Sequence, residues 1–185
     1  MKIFGTDENI KIDLVHAELV KSLVISSKPE KVLELGIGGG RSTDAIIQAI
    51  EYNNNKCSFT VVDNWLDFGG IMPQEVQQKY GLKINIVSSD EKKYIFSCNE
   101  KYDFIMSDAD HHHTNEWFEY VYDNILNNNG ILIYHDVDNV TNVYPNLVDI
   151  YKKCNEKKIS HYLFNKSSLD TERCHRGLLV IFKTL

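Results

Sequence analysis

The sequence predicts an α/β fold built on a doubly wound sheet of seven strands, mostly parallel, with an antiparallel last strand. Three observations carry this expectation. The stretch Lys31–Thr43, KVLELGIGGGRST, is a short apolar run of the kind a buried parallel strand needs, broken by Gly36, Gly38, Gly39 and Gly40 before a segment of helical spacing. Further β-rich runs alternate with helical-period segments downstream, the signature of repeated strand–helix–strand units. The polar link Asn165–Arg176 between the last two β-rich runs holds too few residues for a crossover helix, so those strands form an antiparallel hairpin.

With 185 residues the chain has the size of one domain, expected over residues 1–185 with an N-terminal helical segment over 1–27. A hydrophobic share of 43% against 25% charged residues is that of a globular protein and not of a disordered chain. The net charge of -6 argues against nucleic acid or an acidic membrane surface as partner. Lys152-Lys153 with Lys157-Lys158 reads as one solvated helix face. No apolar run approaches membrane-spanning length, and Met1–Ile10 carries charged and polar residues where an apolar leader would lie. Cys57, Cys98, Cys154 and Cys174 form no CxxC pair, which points to a reduced, cytoplasmic setting and away from cysteine-bound zinc. The expected partners are a small-molecule substrate and, in a homo-oligomer, further copies of the chain.

After an irregular lead-in over Met1–Ile10, the positions Ile12, Val15, Leu19, Leu23 and Val24 recur at helical spacing and predict a core-packing helix over Lys11–Ile25. Pro29 marks the turn into strand one. Behind the glycines, Ser42 or Thr43 is the expected cap of a helix with Ala45, Ile46, Ala49 and Ile50 on its apolar face, ended by Asn53-Asn54-Asn55. Strand two, Ser58–Asp63, ends in an acid. Leu66–Gly70 reads as irregular, Gln74–Tyr80 as a helix and Lys83–Val87 as strand three, followed by Ser88-Ser89-Asp90 and a short helix or turn over Glu91–Cys98. Strand four, Tyr102–Ser107, runs into Asp108-Ala109-Asp110-His111-His112-His113. A helix over Asn115–Leu126 is expected to close on Asn127-Asn128-Asn129 with Gly130 as C-cap. Strand five, Gly130–Tyr134, delivers His135-Asp136; a last helix spans Val143–Lys157, and strands six and seven are His161–Phe164 and Gly177–Phe182.

The glycine turn allows positive φ and lets a ligand approach the backbone, with the N–H groups of a helix start facing the same space. Its spacing fails the dinucleotide fingerprint, because Arg41 stands where a third glycine is needed, and no Gly-Lys-Ser/Thr closes a P-loop. A carboxylate at the tip of strand two, Asp63, suits the two hydroxyls of a ribose. Open α/β sheets hold ligands at the carboxyl ends of their strands, so Asp108, His111, His135 and Asp136 fall within reach of one another there. An imidazole titrates near neutral pH, which makes His111 or His135 the candidate base, with His112 and His113 at the surface or at a helix start.

Four pieces, ELGIGGG at Glu34–Gly40, VVDNW at Val61–Trp65, FIMSDADH at Phe104–His111 and GILIYHD at Gly130–Asp136, together resemble class I S-adenosylmethionine-dependent methyltransferases, whose sheet is Rossmann-like. The resemblance is to the small group with Asp-Gly-Asp-His after strand four and His-Asp after strand five, related to sugar O-methyltransferases, cephalosporin-hydroxylase-like proteins and the cation-dependent O-methyltransferases. It implies O-methylation of a small-molecule hydroxyl of sugar or natural-product type, with S-adenosyl-L-methionine as cofactor. Glu34, Gly36, Gly38 and Gly40 would hold the methionine part, Asp63 the ribose, and Ser89 and Asp90 the adenine side; Ser42, Asn64 and Asp108 would also contact the cofactor, and Trp65 would sit against the adenosine or shape the pocket wall. In the cation-dependent relatives, acids after strands four and five bind a divalent ion. That maps onto Asp108 and Asp136, with His135 beside them, as a site for Mg²⁺ or another divalent cation, against the alternative that these groups only hydrogen-bond cofactor and acceptor. Val137 and His135 depart from the residues those relatives carry. The competing readings are an aminopropyl transferase and a non-catalytic binding module acting through a partner.

Overall fold

The computed structural model of the chain describes residues 12–54, 56–66, 73–140, 142–164 and 177–184. The expected lead-in over Met1–Ile10, the helix start at Lys11, the stretch Asp67–Gly70 and the link Asn165–Arg176 with Cys174 lie outside these residues. The elements are α1 (Leu14–Ser27), β1 (Lys31–Leu35), α2 (Arg41–Asn53), β2 (Ser58–Asp63), α3 (Pro73–Tyr80), β3 (Asn85–Ser88), α4 (Glu91–Ser97), β4 (Tyr102–Ser107), α5 (Phe118–Tyr120), β5 (Leu126–His135), α6 (Pro145–Glu156), β6 (Ser160–Phe164) and β7 (Leu178–Phe182). They build a seven-stranded sheet in the order β3-β2-β1-β4-β5-β7-β6. All pairings from β3 to β5 are parallel, and β7 lies antiparallel to both β5 and β6, as the short link demands.

Because helices cover both faces, the central strands bury alternate residues on opposite sides. Val32, Phe104, Met106, Ile131 and Ile133 join α1 and α2 in one core, while Leu33, Ile105, Leu132 and Tyr134 join Trp117, Phe118 and α6 in the other. Glu34 shares the first face and is wholly buried under α2. Among the described residues no helix is long and apolar enough to cross a membrane, and Cys57, Cys98 and Cys154 are free thiols.

The local chemistry departs from expectation in four places. In α1 the buried positions are His16, Ala17, Val20 and Val24, whereas Val15 is exposed, so the core-facing stripe is rotated from the one the apolar spacing predicts. Neither Ser42 nor Thr43 caps α2: Gly40, at φ 74°, takes the N-cap position and both hydroxyls turn onto the Glu34 carboxylate. The expected helix over Asn115–Leu126 is a 3-10 turn at Thr114–Glu116, the short α5 and a π turn at Val121–Ile125. Leu126 is already in β5, paired with Tyr102, and Gly130 is a strand residue; Asn129 takes the left-handed conformation instead, with φ 63°.

Candidate active site

The glycine loop leads from the carboxyl end of β1 into α2 and packs against the carboxyl end of β4. Gly36 has φ 82°, and a Cβ there would lie 2.5 Å from the backbone oxygen of Asp108, so any side chain would prise the loop from the β4 tip. Backbone bonds fix the junction: Asp108 N donates to Leu35 O and Gly36 N to Val62 O, each at 2.8 Å. Asp63, at the β2 tip, accepts from Ile37 N through Oδ2 at 2.9 Å and from Trp65 N through Oδ1 at 2.7 Å. Asn64 closes the next turn by accepting from Leu66 N, and Ser89 N donates to Asp63 O. Trp65, held at φ 62°, packs on the first core and leaves its buried Nε1 without a partner among the described residues.

Beneath the loop, Thr43 Oγ1 donates to Glu34 Oε2 at 2.7 Å, while Oε1 has no partner among the described residues. Burial pushes the Glu34 carboxyl up to about 8, against the Ser42 and Thr43 hydroxyls that favour its charge.

The tips of β4 and β5 bring together what the sequence placed there. Asp136 adopts φ 59°, which turns its carboxylate back toward the β4 tip. His135 Nδ1 lies 3.3 Å from Asp108 Oδ1 and 3.2 Å from Asp136 Oδ1. His111 Nε2 lies 3.3 Å from both Asp108 Oδ1 and Asp136 Oδ2. Burial opposes charge on Asp108 and His111 alike, but their mutual attraction prevails. The imidazoles of His135 and His111 hold Asp108 well below the usual carboxylate range, and Asp108 with Asp136 raises His111 to about 10. Tyr144 stacks on the His111 ring at 4.6 Å between centroids.

Residues 33–137 match the model of a family described as a methyltransferase domain. The chain belongs to that family. No curated protein sequence matches it. Solved structures share its fold at low identity. An O-methyltransferase from Bacillus cereus, in complex with S-adenosylhomocysteine, is 14% identical, with TM-score 0.73 over 94% of this chain and 83% of that one. The O-methyltransferase TomG of Streptomyces achromogenes, involved in tomaymycin synthesis and solved with S-adenosylmethionine, is 10% identical, with TM-score 0.74 over 96% and 83%. The Podospora anserina methyltransferase PaMTH1, bound to S-adenosylhomocysteine, is 15% identical, with TM-score 0.71 over 95% and 81%.

Within this methyltransferase the anticipated site residues fall into three groups. Gly36, Gly38, Gly40, Asp63, Asn64 and Trp65 line one carboxyl edge, and Asp108, His111, His135 and Asp136 form the adjoining cluster. Ser42 is turned inward onto Glu34, and Asp90 serves as N-cap of α4 by accepting from Lys93 N at 3.0 Å through one of its two oxygens. Lying between two carboxylates, the His111 imidazole is raised above the neutral range expected of it, to about 10. His112 and His113 are exposed, their backbone N–H groups both donating to Asp110 Oδ1. Sequence reasoning missed buried Glu91, which accepts from Asp110 N, Ser107 Oγ and Trp117 Nε1 and is raised by burial to about 7. It also missed Asp13 and His16, although their Asp-x-x-His spacing puts both on one helix face.

Proposed function

We propose that this methyltransferase moves the methyl group of S-adenosylmethionine to a hydroxyl of a small molecule. The observation that carries this reading is the abutment at Gly36: the loop suited to the cofactor lies against the backbone of Asp108, the first residue of the charged cluster. A methyl group presented by the loop would therefore face Asp108, His111, His135 and Asp136. The cofactor's sulfonium carbon is already activated, so the protein has to align the acceptor oxygen in line with it and dispose of one proton. A bond forms from oxygen to methyl carbon, the carbon–sulfur bond breaks, and S-adenosylhomocysteine leaves. Asp63 suits the ribose hydroxyls, since each of its oxygens accepts a single backbone N–H and retains a further lone pair. Glu34, with one oxygen unpartnered beneath the loop, is protonated in the ligand-free protein and would give up that proton to a methionine ammonium placed above it.

The cluster also suits a divalent cation such as Mg²⁺. Its four His–Asp contacts are all 3.2–3.3 Å, longer than a good charge-assisted hydrogen bond, and the carboxylates of Asp108 and Asp136 converge with a ring nitrogen of His135 as a ligand set. An ion held there would acidify the acceptor hydroxyl. With no ion bound, Asp108 and Asp136 favour charge on His111, and Asp136 and His135 are the groups we assign to take the acceptor's proton.

Calorimetric titration tests the cofactor assignment: S-adenosylhomocysteine should bind and NAD should not. Methyl transfer from labelled S-adenosylmethionine to a panel of phenolic and sugar hydroxyls, with and without chelator, tests the rest. Activity lost on chelation with cofactor affinity retained supports the cation; failure of S-adenosylhomocysteine to bind would overturn the whole reading.

A further inference from the structure

Where α1 docks on the end of β5, three more ionisable groups meet. Asp13, His16 and His135 are 5%, 2% and 1% exposed, and one ligand atom from each lies within 4.8 Å of the others. His16 Nδ1 is 3.4 Å from His135 Nε2 and 3.6 Å from Asp13 Oδ2, with the two rings nearly perpendicular at 78°. Asp13 stands at the N-cap position of α1 yet its side chain caps no backbone N–H. Its place is fixed from outside the helix: Arg41, the first residue after the glycine loop, donates to the neighbouring Ile12 O at 2.6 Å.

A hydrogen-bonded relay does not explain this arrangement. In a relay, Asp13 and His135 would meet opposite nitrogens of the His16 ring, but both face the same atom, Nδ1, which carries either one proton or one lone pair. Both distances are also long. An ordinary pair of this kind occurs at the surface of the same molecule, where His113 Nδ1 and Asp110 Oδ2 are 2.9 Å apart. Nδ1 of His16 can serve only one of its two neighbours at a time, and three ligand atoms that converge in this way have the geometry of ligands around a shared point. Bonds of about 2.0–2.1 Å in a tetrahedron give edges of roughly 3.3–3.5 Å between ligand atoms.

We infer that Asp13, His16 Nδ1 and His135 Nε2 form a site for a transition-metal ion of the Zn²⁺ class, separate from the Asp108–Asp136 face. Two imidazoles and a carboxylate are a borderline nitrogen-rich set that favours such an ion over Mg²⁺, and three protein ligands leave a fourth position open. The surroundings fit. A metal-bound histidine donates its other ring N–H to a carboxylate, and His135 Nδ1 lies beside Asp108 and Asp136. With Nε2 on the ion and Nδ1 protonated, His135 is fixed in one tautomer. The Asp108–Asp136 face then keeps its oxygens for Mg²⁺ or acceptor, and the acceptor's proton falls to Asp136. Since α1 supplies two of the three ligands, the ion also staples that helix to the sheet.

Cobalt(II) is the probe, because its visible bands report coordination directly and the readout needs neither cofactor nor acceptor. In the Asp108→Asn/Asp136→Asn double variant, which lacks the other set of carboxylates, one Co²⁺ should still bind per chain with the intense bands of a four-coordinate ion. His16→Ala in that background should weaken binding by more than the ~10–100-fold that loss of an outer-shell group causes. Cysteine reaches about as far as Nδ1 of histidine, so His16→Cys should restore binding and add a thiolate-to-cobalt charge-transfer band in the near ultraviolet. That band separates a direct ligand from a residue that merely keeps α1 in place. Cobalt binding unchanged by His16→Ala, or His16→Cys protein without the band, overturns the inference.

Discussion

The two halves of the carboxyl edge are built on opposite principles. Around β1 and β2 the polar groups are tied by bonds of ordinary length: Ile37 N and Trp65 N to Asp63, Thr43 to Glu34, all at 2.7–2.9 Å. Around β4 and β5, Asp108, His111, His135 and Asp136 stand 3.2–3.3 Å apart, and His16 meets His135 at 3.4 Å. The first half is a finished cradle whose shape is set by its own backbone. The second is an assembly of charges whose neutralisation and spacing suit a bound ion or a reacting group. Preorganised dipoles suit binding and converging charges suit proton or metal chemistry, so we read the first half as the cofactor side and the second as the reacting side.

The sharpest way to break this comparison is to remove a group from the charged half. Asp108→Ala should lower methyl transfer by roughly 10²–10⁴-fold, the range spanned by loss of a positioned acid–base or ligand group, while S-adenosylhomocysteine affinity changes far less. An equal loss in both would show that the halves are not separable. Labelled methyl transfer and calorimetry on the same preparation decide it.

Next in size is the pH response of the cradle. Glu34 is raised from 4.5 to about 8, so the folded state holds a proton that the unfolded chain has released. The stability this confers is complete below pH 4.5 and is lost as pH rises through 8, at up to about 1.4 kcal/mol per pH unit. Unfolding of the ligand-free protein by urea should therefore become easier from pH 5 to pH 8, and Glu34→Gln should flatten that slope. Glu91, raised to about 7, contributes in the same sense and survives in the variant, so the difference between the two proteins isolates Glu34. A ligand ammonium above Glu34 favours the carboxylate, so cofactor affinity should rise over the same interval.

A smaller effect is expected from Asp63→Ala, which should weaken S-adenosylhomocysteine binding by about 1–3 kcal/mol if the carboxylate holds the ribose. Part of that loss would come from Ile37 N and Trp65 N, which the variant leaves unpaired. Asp63→Asn keeps an acceptor for one of them, so comparing the two by calorimetry separates ribose contact from loop support. Unchanged affinity in both would remove Asp63 from the site.

What the sequence allowed to be read follows from the kind of force involved. The strands were legible because burial on both faces demands unbroken apolar runs, and Gly36 because a Cβ cannot coexist with the Asp108 backbone. The β4 and β5 tips were legible because parallel strands deliver their ends to one edge. The α1 face was not: Ile12, Val15, Leu19 and Leu23 offer a plausible stripe, and only tertiary contact decides that His16 goes inside while Val15 stays in water. The inward turn of Ser42 escaped for the same reason, since a hydroxyl after a glycine loop reads as a cap unless a buried carboxylate competes for it. The raised pKa of His111 depends on Asp136 turning back at φ 59°, a conformation aspartate adopts more readily than most residues but only occasionally, so the sequence alone does not announce it.

The smallest effect sharpens the comparison most economically, because it asks what a histidine–aspartate pair does when it is only a hydrogen bond. Asp110 and His113 meet at 2.9 Å near the surface, where His113 is mostly exposed and water screens the pair. Burial works against the Asp110 charge, but the His112 N–H and the His113 side chain overcome it and hold the acid below its ordinary range. A lowered carboxylate stabilises the fold above its unfolded pKa, and that contribution disappears as pH falls through the folded value. His113→Ala should therefore cost only about 0.2–1 kcal/mol near neutral pH, with the difference from wild type shrinking in acid, when unfolding is followed by urea titration. Cobalt affinity should not move, because neither residue shares an atom with the buried cluster. If His113→Ala altered cobalt binding as strongly as His16→Ala, the distinction between bonded pairs and converging ligands on which the buried site rests would fail.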